Sequence, residues 1–271
     1  MIDKIKNLYM KIFYRFKSRF NAWLTLLILP VFWFVPWWWL VVSVIVYRIF
    51  ESLHIVMYHE YGNHRVLQPR NKLIEIIGWY TIAAFDAQSP YNKIKYHWTH
   101  HAYYETDYDS TWKKLQVADK KDLWKYLLDL TPHAPHLAAS ESAIEILPSG
   151  AYNWFQKYWH QVFIANIIVW LLLGGWWIFI AWFVFPIWFW GAIFRLLNWK
   201  THKLARDDEN WTVLIYGNQA WHKKHHRDYL DEWDAYYGPG WWKWVNIDFY
   251  VQKLLCKPVP PEKQWPKIKI N

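Results

Sequence analysis

Two stretches of this chain contain no Lys, Arg, Asp or Glu: residues 20–47, which are 28 positions, and residues 158–194, which are 37. A helix needs about 20 apolar residues to cross the hydrocarbon core of a bilayer. The first stretch leaves an excess for one span and is tight for two. Pro30 and Pro36 mark a turn inside it, the first span borrowing residues near Arg15 to Arg19 that can snorkel and the second running on towards Arg48 and beyond. Two spans are therefore the preferred reading, with one long tilted helix as the alternative. The second stretch is interrupted by Gly174 and Gly175, which suits two further spans joined by a tight bend. The mean hydropathy of −0.14 looks soluble, but that index scores Trp and Tyr as polar, and the chain holds 25 Trp and 19 Tyr. Such rings favour bilayer interfaces.

Residues 1–19 carry six basic side chains among Ile, Leu, Tyr and Phe and read as a basic amphipathic arm at the membrane surface. No small-residue cleavage site follows, so a signal peptide is not expected. The positive-inside rule assigns the arm, and the basic segments near residues 65–72 and 93–95, to the cytoplasm, and paired crossings satisfy both. The expected fold class is thus all-α integral membrane, with about four transmembrane helices and a cytosolic helical cap. A single domain over 1–271 is expected: arm 1–19, paired spans 20–58 and 158–196, cap 59–157 and 197–255, and a proline-containing surface tail 256–271. Both termini fall on the cytoplasmic side. Residues 73–85 are apolar but short and contain Glu75, which suits a surface-lying or shallow helix. The net charge of +9 fits anionic headgroups or an acidic partner. Nucleic acid is not expected as a partner, because it leaves the uncharged stretches unexplained.

One cysteine, Cys256, excludes an internal disulfide and Cys-rich zinc modules. Histidine, with 13 copies, is the metal-ligand supplier, and three clusters stand out: His59 and His64; His97, His100 and His101; His222, His225 and His226. The last two share the spacing H-x-x-H-H. On a helix, positions i, i+3 and i+4 project to one side, so each such cluster is expected to present three imidazoles to one point. His59 and His64 are five apart, and Gly62 and Asn63 between them suggest that the helix ends there and lets His64 fold back. Asn198 and His202 form a fourth pair at i, i+4. Nine imidazoles are too many for one ion and reasonable for two first-row transition metals. His59 and Glu60 open a segment one residue too long for the H-E-x-x-H zinc motif, and only Glu51 and His54 form a Glu-x-x-His pair, so carboxylate-bridged di-iron bundles are disfavoured.

The order H-x4-H, H-x2-H-H, N-x3-H, H-x2-H-H, with paired apolar stretches before the first box and between the second and third, resembles the membrane fatty acid desaturases over about residues 20–255. Ala84, Phe85, Gln88, Ser89 and Pro90 before the second box, and Glu105 to Asp109 after it, look like the Δ9-type acyl-CoA and acyl-lipid desaturases. The resemblance implies that His59, His64, His97, His100, His101, His202, His222, His225 and His226 hold two Fe ions. It further implies that Asn198 contributes through a water and that Asp107 and Asp109 orient ligand imidazoles. O2 is the implied co-substrate. The chemistry is removal of two hydrogens from adjacent methylenes of an acyl-CoA, acyl carrier protein or acyl-lipid substrate, giving a cis double bond. Electrons are expected from a separate ferredoxin or cytochrome b5-like donor, which Lys223, Lys224 and Arg227 would help to steer. Departures from the family pattern are Trp98, Ser110, Lys223, Lys224 and Gln219. They leave the ligands untouched and bear on head-group recognition, donor docking and the position of oxidation. The rival readings are a hydroxylase or ketolase of the same superfamily and a non-catalytic membrane metal-binding protein.

Overall fold

The computed structural model describes residue 28 and residues 30–86, 88–103, 106, 109, 123–127, 149–203, 210–222, 225 and 240–260. The basic arm, most of the first expected span, His226, Asp107 and the basic residues beside the last box lie outside them. The chain is mostly helical. A short helix α1 (Val31–Phe34) ends at Val35, which is extended with φ −113° and ψ 132°. Pro36 then opens α2 (Trp37–Ile55), where a fixed φ and a missing N–H cost nothing at a helix start. A helix break at Val35 and Pro36 thus falls where a turn between two spans is expected, and the first of those spans lies mostly outside the described residues. Helix α2 continues as a π-helix over Val56–Asn63, so the expected span boundary at residue 58 falls inside one continuous helix.

After β1 (Leu67–Pro69) the chain forms α3 (Lys72–Phe85), capped by the Asn71 side chain accepting from the Ile74 N–H, and α4 (Pro90–Ala102), capped in the same way by Ser89. Helix α3 runs antiparallel to α2. Gly78 lies against Met57, leaving no room for a Cβ, while Phe85 stacks edge-on against Tyr47 at 5.2 Å. One face of α3 buries Trp79, Ile82, Ala83 and Ala84, and Leu73 stays exposed. It is therefore half-buried between α2 and α6, with Ile76 and Ile77 exposed beside Leu73 on its other face. The tie between α2, α3 and α4 is polar: Asp86 accepts from both His54 (3.1 Å) and Lys93.

Beyond α5 (Leu123–Leu127), helix α6 (Gly150–Phe179) leads through a π-turn (Ile180–Val184) into α7 (Phe185–Asn198) and a second π-turn (Trp199–Lys203). Gly175, with φ 65° and ψ −167°, breaks α6. Trp170 and Phe183 then meet with ring centroids 6.4 Å apart, whereas a straight helix would separate residues 13 apart by about 20 Å. The chain doubles back at the glycine pair, and only a residue without Cβ tolerates that φ cheaply. Trp177 at the hairpin tip meets Phe34 at 5.0 Å, so the tip lies level with the start of α2. By length and composition, Trp37–Asn63 and Gly150–His202 are helices apolar enough to cross a membrane. Exposed Trp37, Val41, Ile45 and Ile49 line one face of the first, the arrangement expected when the apolar side meets lipid and not water.

The remaining described elements are α8 (Val213–Tyr216), 3₁₀ turns at Asn210–Thr212, Gly217–Trp221 and Gly240–Val245, α9 (Ile247–Leu255) and β2 (Cys256–Pro258). Strand β2 pairs antiparallel with β1, Gln68 opposite Lys257. Two expectations change here. The architecture is not purely α, and Cys256–Pro258 is not loose tail: Cys256 is buried and its strand closes the stretch that follows His64. The sequence offers only three residues for each strand, too few for an alternation to be read.

Candidate metal centre

The first histidine pair is joined by geometry the sequence reading did not anticipate. The helix ends at Asn63, as expected, but it widens before it ends. The His64 N–H donates to the His59 carbonyl at 2.9 Å, an i→i+5 bond, and one π-turn places residues five apart on the same side. The two rings lie 4.6 Å apart. Gly62 serves a different purpose from the one expected: it is not in the left-handed region, and a Cβ there would press on Ile94 of α4. Close approach of α4 to the π-turn is what brings the second box to the first.

Helix α4 feeds two points and not one. His97 and His101 turn to His59 and His64, with His97–His101 at 4.5 Å between centroids, while His100 faces His202 at 5.0 Å and stacks on His222 at 6.0 Å. The expectation that each H-x-x-H-H presents three imidazoles to one point is therefore overturned. Adjacent residues on a helix diverge by about 100°, so His100 and His101 look in different directions. The third box divides in the same way, His225 joining the first group and His222 the second.

Two clusters result. The ligand atoms of His59, His64, His97, His101 and His225 all lie within 4.8 Å of one another, as do those of His100, His202 and His222. Asn198 closes α7 directly before the π-turn that carries His202. Asp107 and His226 lie outside the described residues.

Among the described residues, His100, His59 and His222 are held through Nδ1. The His100 Nδ1–H donates to Asp109 at 2.9 Å, as expected for one of the two aspartates. The His59 Nδ1–H donates to Glu60 at 2.9 Å, and the His222 Nδ1–H donates to Gln219 at 2.9 Å. Each bond selects the tautomer that leaves Nε2 as the basic nitrogen. Glu60 was set aside from sequence because it does not fit the zinc-protease spacing; the π-turn gives it another task. Gln219 stands where the family pattern has Glu, yet its amide oxygen still accepts the same proton.

Burial, followed by neighbouring imidazoles, lowers the pKa of His64 to about 3 and those of His97, His101, His222 and His225 well below the ordinary value. All are neutral at pH 7, with a lone pair to offer. The Nε2 atoms of His97 and His101 are 2.9 Å apart, and those of His101 and His225 are 3.2 Å apart. Buried neutral imidazoles converging nitrogen to nitrogen are the donor set of a first-row transition metal, so the residues fit such ions. The sign of the pH effect follows from the depressed values. The unfolded chain takes up protons below about pH 6.5 and the folded metal-free chain does not. Metal-free protein should lose stability as pH falls from about 6.5 towards 3, by about 1.4 kcal/mol per pH unit for each such histidine. A melting temperature that does not fall between pH 7 and pH 5 would contradict this.

The segment bearing His222 is fixed from below by a buried network absent from the sequence reading. Arg48 of α2 pairs with Asp248 of α9 at 2.9 Å, both buried. Asp248 accepts from the Asn218 N–H (2.8 Å), and Asn246 donates to the Asn218 side chain (2.6 Å). Gly217, at φ 58°, lies against both charged groups, where no Cβ fits. The signal available in sequence was an Arg at the end of an uncharged stretch, read there as a residue that the second span runs towards and beyond.

Against known proteins, the chain is 28% identical over 236 residues to the sn-1 stearoyl-lipid 9-desaturase of Anabaena variabilis, with 79% of each chain covered. This supports a desaturase-family relationship. No protein-family model matches the chain, and no solved structure does. A desaturase is an oxidoreductase, and a histidine-rich double cluster at the end of apolar helices is compatible with a metal site in an enzyme of that kind.

Proposed function

We propose that this chain is a multi-pass membrane desaturase that inserts a cis double bond at the Δ9 position of a long acyl chain, preferentially one carried on a lipid. The observation that carries the reading is the division of eight imidazoles, seven buried and that of His64 half-buried, into two convergent groups, in a chain similar over most of its length to a stearoyl-lipid 9-desaturase. The reading includes four membrane crossings, with the metal centre and both termini on the cytoplasmic side. The two groups hold one iron each, and His226 and Asn198, through a water, complete the ligand set. Asp107 joins Asp109 in orienting ligands.

When bound, the irons supply the oxidant that an unactivated C–H bond requires, drawing on O2 and two electrons. Overall, two hydrogens leave adjacent methylenes and O2 leaves as two waters, with two electrons and two protons supplied from outside. The electrons come from a separate ferredoxin or cytochrome b5-like protein. The chain's own residues do the positioning. Asp109, Glu60 and Gln219 hold His100, His59 and His222 so that Nε2 faces the cluster, and a carboxylate at Asp109 makes the His100 imidazole more basic. Glu60→Leu is expected to weaken metal retention by about 10- to 100-fold, and Glu60→Gln, which keeps an acceptor, less; chelator competition on purified protein measures both.

The deciding experiment expresses the chain in a host with saturated lipids and a suitable donor, then localises double bonds by mass spectrometry. A new Δ9 monoenoic acid in the lipid fraction is the expected result. A hydroxylated product from iron-loaded protein would move the assignment to the hydroxylases. Unchanged lipids would sink the enzymatic reading.

A further inference from the structure

Helix α9 runs beside α2 in the same direction. Asp248 pairs with Arg48 near its start, Val251 shares a core with Leu53 and Met57, and Leu255 packs by Val56 at its end. The Gly240–Val245 turn that precedes α9 is therefore level with the part of α2 where the uncharged stretch gives way to Arg48. Trp190 of α7 marks the same level, its Nε1–H donating to the Val44 carbonyl at 3.0 Å with Arg48 over its ring. At that height the cap exposes an aromatic face. Trp241 is 59% and Trp244 53% exposed, with Val245, Tyr250, Trp211 and Leu214 beside them. Trp241 stacks on Trp242, and Lys243 reaches over the Trp244 ring.

We propose that this Trp-rich turn and its neighbours form an interfacial foot that seats the cap in the headgroup region of the leaflet nearest the metal centre. Three observations select the bilayer as its occupant. The surface lies level with the end of the exposed apolar face of α2, at Ile45 and Ile49. Its composition is Trp and Tyr with lysines, the pairing that suits a boundary between hydrocarbon and phosphate. The Arg48–Asp248 pair locks its height to α2, so a foot at this level meets lipid wherever α2 does. The turn adjoins the network that carries Gly217 and Asn218, which places the His222 segment at a set distance above the headgroups. That is where an acyl chain attached to a lipid would have to rise. The inference rests on the membrane reading of α2 given above.

Spin labels test it in the full chain, in a Cys256→Ala background, reconstituted in nanodiscs of phosphatidylcholine with phosphatidylglycerol. Labels are placed separately at Trp244→Cys and Tyr250→Cys, with Val42→Cys as the buried-in-lipid control and Leu254→Cys, higher along α9, as the aqueous control. Collision with O2 against collision with a nickel chelate reports depth. The expected result is a Trp244 or Tyr250 label between the two controls, favouring O2. Labels at both positions as open to nickel as Leu254, with Val42 deep, overturn the foot and leave the membrane reading standing. A Val42 label that meets nickel freely overturns both. Two independent positions keep the test decisive if one variant does not fold.

Discussion

Replacing His101 by alanine abolishes double-bond formation, lowering the yield of the new monoenoic acid by more than about 100-fold, beyond what loss of a ligand's hydrogen-bonding partner costs. His101 is central to the larger cluster: its ring lies 4.5 Å from His97, 4.8 Å from His64 and 4.9 Å from His225. His59 approaches the same three rings, His64, His97 and His225, at 4.6, 4.4 and 4.5 Å from the π-turn, whereas His101 does so from a helix whose preceding residue, His100, serves the second cluster. Removing it opens a gap between α4 and the π-turn and deletes a donor from the group at once. Metal content of the purified variant should fall in parallel, toward one ion per chain. His160→Ala, outside both clusters, serves as the control and is expected to leave the product unchanged. An unchanged product from His101→Ala would mean that the histidine pair of clusters is not the reaction centre.

The second large effect is on stability. Asp248→Ala leaves the Arg48 guanidinium buried without its carboxylate, and breaking a buried pair by removing one partner costs about 3–5 kcal/mol. The loss is compounded here because Asp248 also accepts from the Asn218 N–H, in the turn that ends at His222. Thermal unfolding in detergent measures it. The double variant Arg48→Met with Asp248→Leu should recover most of the lost melting temperature, since replacing both charges by apolar groups of similar size removes the desolvation penalty. A single variant as stable as the parent would show that the pair is solvated and that α9 is not held to α2 by charge.

Much of the site was legible in linear order because its chemistry is carried by residue type. His59, His64, His97, His100, His101, His202, His222 and His225 were singled out as a set, and the fold brings all eight together. Asp109 was marked as a carboxylate beside a ligand, and it accepts from His100. The bend at Gly174 and Gly175 and the break at Pro30 and Pro36 were legible too, since glycine and proline act on the local backbone wherever they stand. The π-turn at Val56–Asn63 was not legible. A helix can widen by one residue only when its neighbours hold the extra bond open, and here that hold comes from Ile94 over Gly62.

Arg48 and Asp248 escaped because a polar side chain acquires its task from what lies across from it, and these two are 200 residues apart in sequence; Glu60 and Gln219 stand one and three residues from His59 and His222, and only the folded backbone turns each towards the Nδ1 of its ring. The Cys256–Pro258 strand escaped because three residues carry no period. The uncharged stretches, the punctuation between them and the donor chemistry follow from the order of the residues, because solvation and local backbone preference act residue by residue. The split into five and three imidazoles, the tautomers, and the height at which the cap meets α2 do not. They depend on directions and distances between separate helices, which exist only once those helices have packed.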